Sequence, residues 1–234
     1  MQVIMPVYNT CKEIHDLTEM AIESLKPDRL ILIDNGSTFA RGYLADIADV
    51  YIRNKQNMGY PYAVNQGLKA VESDLVCITN NDIRVPDNIY RVALEILQDK
   101  EIGSVHFKMI PYDQEFTFGD KVWKTGKERW CTSSFFIIRR EAIPEGGYDE
   151  NYGMGGYDDW DFWKRVRDNG WETAYTNRSS YQHFGSWTLS KVPESEKGQA
   201  NGEYFKKKHG KYAEDIWNKL YPEQMKQDYW EGME

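Results

Sequence analysis

The 234-residue chain has only three cysteines, Cys11, Cys77 and Cys131, widely spaced and with no CxxC pair. That scarcity argues against a disulfide framework and against a cysteine-built zinc site. No stretch approaches the roughly 20 consecutive apolar residues of a membrane-spanning helix. Positive charge is also scarce: 29 Lys and Arg stand against 37 Asp and Glu, for a net charge of −8. Such a chain has no global attraction for phosphate backbones or anionic membranes, so a nucleic-acid partner is unsupported. Its one basic run, KKKHGK from Lys206 to Lys211, reads as a solvated helix face. Internal repeats and low-complexity tracts are missing. Met1 leads directly into the strand-like QVIMPVY instead of a signal peptide, and the expectation is a soluble, cytoplasmic protein in a reducing compartment.

Short apolar runs alternate with segments of helical periodicity. Val3 to Met5 is a strand ending at Pro6, and Ile14, Leu17, Ala21, Ile22 and Leu25 form a helical stripe over 12–25. RLILI (29–33) is a second strand, stopped by DNGST, whose Asn, Gly and Ser are turn formers. A short helix near 43–48, the strand VYIR, a helix over 61–71, the strand DLVCIT, a helix over 88–97 and the strand GSVHFKM follow. This alternation predicts an α/β domain with a mostly parallel sheet and helices on both faces. Such sheets bind ligands beyond the carboxyl ends of their strands, where PVYN, DNGST and NND all fall. After 110 the pattern changes. TFGDKVW reads as a hairpin turning at Gly119 and Asp120, SSFFIIRR as a strand, and DDWDFWKRVRDNG as a helix stopped by Gly170. The expected organisation is a nucleotide half (1–110), an acceptor half (111–190) and a helical extension (191–234).

Six short motifs occur in order: IMPVYN, IDNGST, NMGYPYAVNQGL, ITNNDIRV, GGYDDWDFWKRV and YQHFGSW. Together, over residues 2–190, they resemble the inverting GT-A (Rossmann-like) glycosyltransferases of family 2, and especially the rhamnosyltransferase-like branch. The resemblance implies a nucleoside site at Pro6, Tyr8 and Asp34, with the carboxylate accepting from an imide N–H as in uracil or thymine, so that UDP- or dTDP-sugars are the favoured donors. The competing reading of Asp34 is an Asx-turn with Ser37. Asn57, Gly59 and Asn65 would line the nucleotide and sugar pocket, Gly59 by letting a backbone come close. The alternative is a plain helix entry with Pro61 in its first turn. The family's Asp-x-Asp triplet is replaced here by Asn80, Asn81 and Asp82. Asp82 remains as the carboxylate ligand for Mn2+ or Mg2+, with Asn80 and Asn81 toward the substrate. His183 is the second metal ligand that the resemblance implies, and its imidazole suits Mn2+ better than Mg2+. Ser186 and Lys191 are further candidates for phosphate contacts.

The resemblance also implies a general base, Asp159, seconded by Asp158. On a helical wheel Asp159 shares a stripe with Phe162, Trp163 and Val166, which turns its carboxylate inward. It is then either a helix cap or a base. Asp161, four residues before Arg165, reads as half of an exposed pair. Glu128, Glu145 and Glu150 supply no second carboxylate in a motif of similar force. The expected activity is transfer of a sugar from a nucleotide diphosphate sugar to the hydroxyl of a glycan, lipid-linked or protein acceptor. The competing readings are transfer to a modified nucleic-acid base, using Lys206 to Lys208, and a noncatalytic sugar- or nucleotide-binding module on a degenerate fold.

Overall fold

A computed structural model describes residues 1–124, 133–185 and 201–215. The chain opens with β1 (Gln2–Val7), α1 (Lys12–Leu25), β2 (Arg29–Asp34), α2 (Arg41–Ile47), β3 (Val50–Arg53), α3 (Tyr60–Leu68) and β4 (Leu75–Thr79). It continues with β5 (Ile83–Arg84), α4 (Ile89–Ile96), β6 (Ile102–Pro111), β7 (Val122–Lys124), β8 (Phe135–Arg139), α5 (Asp158–Asp168), β9 (Glu172–His183), α6 (Asn201–His209) and α7 (Lys211–Asp215). β1 runs through Pro6 to Val7. Proline, which lacks an N–H, is tolerated there because the pairing of β1 with β4 ends at Ile4, so that Pro6 has a ladder partner on one side, Ile33 of β2.

The strands lie in the order β3-β2-β1-β4-β8-β6-β9-β5, with β7 beside β9. Strands β1 to β4 pair in parallel, as does β6 with β9. Strand β8 is antiparallel to both β4 and β6, and β5 and β7 are antiparallel to β9. The sheet is therefore parallel in its first half and mixed in its second. One consequence positions the site: the amino end of the reversed β8 lies at the same edge as the carboxyl ends of β4, β6 and β9.

The central strands are buried on both faces, as parallel strands covered by helices must be. Val3, Met5 and Val7 of β1 pack with α1 and α4, while Ile4 packs on the other side with Ala63 and Val64 of α3 and Phe162, Trp163 and Val166 of α5. Gly67 permits the second contact, since a Cβ there would lie 2.5 Å from Ile4 Cγ2. A smaller cluster of Tyr152, Phe205 and Ala213 seats α6 and α7.

The expected hairpin at Gly119 and Asp120 does not form. Between Thr176 and Ser180, β9 bulges, and the bulge captures the 119–121 segment: Gly119 N donates to Asn177 O at 2.7 Å and Lys121 N to Asn177 Oδ1 at 2.9 Å. Strand β7 then pairs with β9 instead of folding back on its own approach. Long-range capture of this kind leaves no local signature, whereas Gly and Asp in sequence mimic a turn. No described helix is long and apolar enough to cross a membrane.

Candidate active site

Three strand ends are tied together at the carboxyl edge. Asn9, beyond β1, donates its N–H to Ser37 Oγ at 2.8 Å, and its carbonyl accepts from Thr38 N and Phe39 N, each at 2.9 Å. Asn81, beyond β4, donates from its side chain to Thr18 Oγ1 at 2.8 Å and Asn9 Oδ1 at 3.3 Å. PVYN, DNGST and NND thus form one polar rim, with Pro6 and Tyr8 half-buried in it. Asn81 faces the scaffold. Asp34 is fully buried with both oxygens engaged: Oδ1 accepts from Ser37 N at 2.7 Å, and Oδ2 from Tyr51 OH at 2.5 Å and from Arg53. The Asx-turn and the Arg53 pair together account for its carboxylate. Sequence reasoning passed over its neighbour Asn35, which joins this turn to the next loop by donating to Asn57 Oδ1 at 2.7 Å and Gly59 O at 3.2 Å. The signal was present in the recurrence of Asn at strand ends, at positions 35, 54 and 57.

Two-residue β5 pairs Ile83 with His183 at the end of β9, and Phe184 N donates to Asp82 O at 3.0 Å. This pairing sets His183 Nε2 3.1 Å from Asp82 Oδ1, with Asn80 Nδ2 3.5 Å from the same nitrogen. Asp82 is buried. A carboxylate oxygen and an imidazole nitrogen are ligands that Mn2+ accepts. Two adjacent ligands of an octahedral ion, each at about 2.1 Å, lie about 3 Å apart, which matches their separation. Among the described residues no cluster of three or more His, Cys, Asp or Glu offers a complete metal cage. A bound cation would draw its remaining ligands from substrate or water.

The acids of α5 are delivered by a loop that only glycine-rich sequence can follow. Gly153, Gly155 and Gly156 have φ of +56°, +114° and +89°, and Tyr157 follows at +66°. For Tyr157 that conformation costs roughly 1–2 kcal/mol. Gly59 is required from the other side: its own φ is +88°, and a Cβ there would lie 1.9 Å from Gly153 O. The close approach expected at Gly59 is thus made by the chain's own backbone. Gly59→Ala should destabilise the fold by about 3 kcal/mol, a loss in Tm of roughly 6–12 °C read by calorimetry. An unchanged Tm would refute this packing.

Asp158 is buried, while Asp159 is half-buried and accepts from Trp160 N at 2.9 Å. The helical wheel turned Asp159 inward. In the structure it is only half-buried, and Asp158 and Asp161 occupy the buried positions beside Phe162 and Trp163. Burial pushes the Asp158 carboxyl above the ordinary carboxylate range, against the pull of nearby main-chain N–H groups. Burial, and then the charge of Asp158, push Asp159 up as well. Tyr60 is a second residue that the sequence reading passed over. Burial and the charges of Asp158 and Asp159 raise its hydroxyl well above the usual range, and that hydroxyl donates to Ser133 O at 3.1 Å. Ser134, next along the chain, accepts from Asn80 N at 2.8 Å. Through Ser133 and Ser134 at the amino end of β8, Tyr60 is thus connected to Asn80 beside His183, and the charges of Asp158 and Asp159 act on Tyr60.

Asp161 overturns its reading as part of an exposed pair. It is fully buried, and its carboxylate meets Arg165 Nε at 2.7 Å, His209 Nε2 at 2.7 Å and Lys208 Nζ at 2.6 Å. Spacing of i, i+4 identified Arg165, but α6, 40 or more residues on, supplies the other partners. Lys208 also pairs with Asp149 at 2.6 Å and Lys206 with Glu203 at 3.0 Å, so these lysines have partners within the protein.

Asn65 is engaged by the 147–150 loop. Its Nδ2 donates to Tyr148 O at 2.8 Å and Glu150 Oε1 at 2.9 Å, and its Oδ1 accepts from Tyr148 N at 2.8 Å. It staples α3 to the 147–150 loop and borders an open cleft of about 410 Å³ that Glu145, Arg165 and Lys208 also line. Ser186, Lys191 and Glu128 lie outside the described residues.

This architecture is that of the GT-A glycosyltransferases. It matches GalNAc-T7 with UDP, GalNAc and Mn2+ at a TM-score of 0.59, with 15% identity over 78% of this chain and 43% of that one. It matches mannosyltransferase PcManGT from Pyrobaculum calidifontis, in complex with GDP-Man and Mn2+, at 0.61, with 18% identity over 86% of this chain and 59% of that one. A third match is S. aureus TarS 1-349 in complex with UDP, at 0.63, with 16% identity over 77% and 59%. The chain belongs to glycosyl transferase family 2, whose sequence profile matches residues 2–157. Glycosyltransferase GlyG of Streptococcus pneumoniae serotype 4 (strain ATCC BAA-334 / TIGR4) is 26% identical over 121 residues, 49% of this chain and 40% of GlyG. The chain thus spans less than two thirds of each of these proteins.

Proposed function

We propose that this protein is a metal-dependent, inverting glycosyltransferase that moves a sugar from a nucleoside diphosphate sugar to an acceptor hydroxyl, with Asp159 as general base. The observation that carries the proposal is the 3.1 Å contact of Asp82 with His183 at the carboxyl edge of the sheet, where β5 closes on the end of β9. Asp82 and His183 would hold Mn2+, or less readily Mg2+, which when bound neutralises charge gathering on the leaving diphosphate. Asn80 adds a neutral amide beside them. Asp159 accepts the proton of the attacking hydroxyl, and its half-exposed position gives an acceptor access. Attack from the face opposite the diphosphate inverts the anomeric centre, and one carboxylate on the acceptor side suffices for a single displacement. Asp158 sets the charge around the base, while Tyr8, Pro6, Asn57 and the polar rim receive the nucleoside. Asp34 works through Arg53 and Tyr51, shaping the base pocket. Uridine nucleotides in two of the three structural matches support UDP-sugars as the first donors to test, ahead of dTDP- and GDP-sugars.

A thermal-shift panel of nucleotide sugars with and without Mn2+ tests the donor and the metal together. A ligand at 100 times its Kd stabilises by about 2.7 kcal/mol. The expected result is a shift for one nucleotide class, enlarged by Mn2+. No shift with any member would contradict the proposal. His183→Ala should weaken Mn2+ binding at least about tenfold, as loss of even an outer-shell partner does in other metal sites. Titration of free Mn2+ by electron paramagnetic resonance in the presence of UDP reads this directly, and unchanged affinity would remove His183 from the ligand set.

As a base Asp159 has to be ionised, so kcat should rise with pH along a limb above the ordinary carboxylate value of about 4. Asp158→Asn removes the neighbouring charge and should move that limb to lower pH. A limb that stays put or moves up would contradict the coupling.

A further inference from the structure

Asn201, the first residue of α6, is buried, and its amide donates to two main-chain carbonyls, that of Tyr152 at 2.7 Å and that of Gly155. These carbonyls bracket Gly153 and Met154 in the loop that delivers Asp158 and Asp159. Three of the loop's residues are glycines at positive φ, the residue type with most backbone freedom to lose, so the loop's own sequence does not hold its shape. The ring of Tyr157, the residue before Asp158, lies against Gly202 and Phe205 of the same helix. The far end of α6 is fixed as well, by His209 and Lys208 on Asp161. Helix α6 therefore grips the chain on both sides of the acid pair, and it lies beyond residues 2–157 that define the family match.

We infer that Asn201 is a positioning residue for transfer, holding the Tyr152–Gly155 loop so that the Asp159 carboxylate keeps the angle that an attacking hydroxyl needs. The inference rests on Asp159 being the base. Asn201→Asp keeps the shape of the side chain, removes both donors and sets an anion against two carbonyls.

The test measures Mn2+-supported release of nucleoside diphosphate from the nucleotide sugar that gives the fastest turnover, in wild type, Asn201→Asp, Asp159→Asn and the double variant. Misplacement of a reacting group by about 1 Å costs on the order of 100-fold. Asn201→Asp should lower kcat between about 10- and 100-fold, leave the donor KM within about twofold, and add nothing to the loss caused by Asp159→Asn. Amide hydrogen exchange over 153–157 should quicken in Asn201→Asp while the rest of the sheet keeps its protection, which separates a loosened loop from an unfolded chain. A kcat within twofold of wild type, losses that multiply in the double variant, or unchanged exchange over 153–157 would overturn the inference while leaving the base in place. Full turnover in Asp159→Asn alone would overturn both.

Discussion

Asp159→Asn should bind the donor nucleotide sugar as tightly as wild type and transfer sugar about 10²–10⁴-fold more slowly, the usual contribution of a positioned general base. The amide keeps the side chain's size and can still accept from Trp160 N, so the first turn of α5 should survive the change. What it removes is the capacity to take a proton. Binding should survive because the Asp82–His183 contact that would hold the donor's cation does not involve Asp159. Isothermal titration with UDP and Mn2+, beside a nucleotide-release assay, separates the two effects. Equal loss of binding and turnover would make Asp159 a donor ligand or a structural cap.

The second large effect is on stability. Asp161→Ala removes a fully buried carboxylate from among Arg165, His209 and Lys208. Breaking a buried ion pair costs about 3–5 kcal/mol. The Arg165 and Lys208 side chains are 22% and 29% exposed and regain some hydration, which favours the low end of that range. Tm should fall by roughly 6–12 °C. Burial alone would raise the Asp161 carboxyl, but hydrogen bonds from His209 and Lys208 and the charge of Arg165 hold it below the ordinary carboxylate range. Its contribution is therefore present above the unfolded value near 4 and is lost as pH falls through the lower folded value. The gap between wild type and variant should be full at neutral pH and shrink in acid. A constant gap, or none, would refute the buried network. Asp158 and Asp159 work in the opposite sense. Their raised folded values mean that keeping them ionised costs stability at neutral pH, as expected of groups held for chemistry.

Period-2 and period-3.6 patterns placed strands β1 to β4 and helices α1, α2, α4 and α5 within a residue or two, because those elements bury whole stripes of apolar side chains, while α3 ends at Leu68, three residues before its expected end. The reversal of β8 and the capture of β7 by β9 were illegible, since pairing partners depend on contacts across the fold. The same limit governs the site. Asp82 and His183 lie about a hundred positions apart, and their pairing could be suspected only from motif order; two-residue β5, too short for a periodic signal, brings them together. Asp161 shows the limit most clearly, because its exposure was inferred from a favourable local spacing. A helix from beyond residue 200 covers it, and no window around 161 contains that helix.

The central claim is that Asp82, His183 and Asp159 serve one cleft. A crystal structure of Asp159→Asn with Mn2+ and an intact nucleotide sugar tests it most directly. The claim predicts the ion on Asp82 Oδ1 and His183 Nε2, with the anomeric carbon turned toward residue 159 and room between them for one hydroxyl. An ion bound elsewhere, or a sugar pointing away from the start of α5, would contradict it.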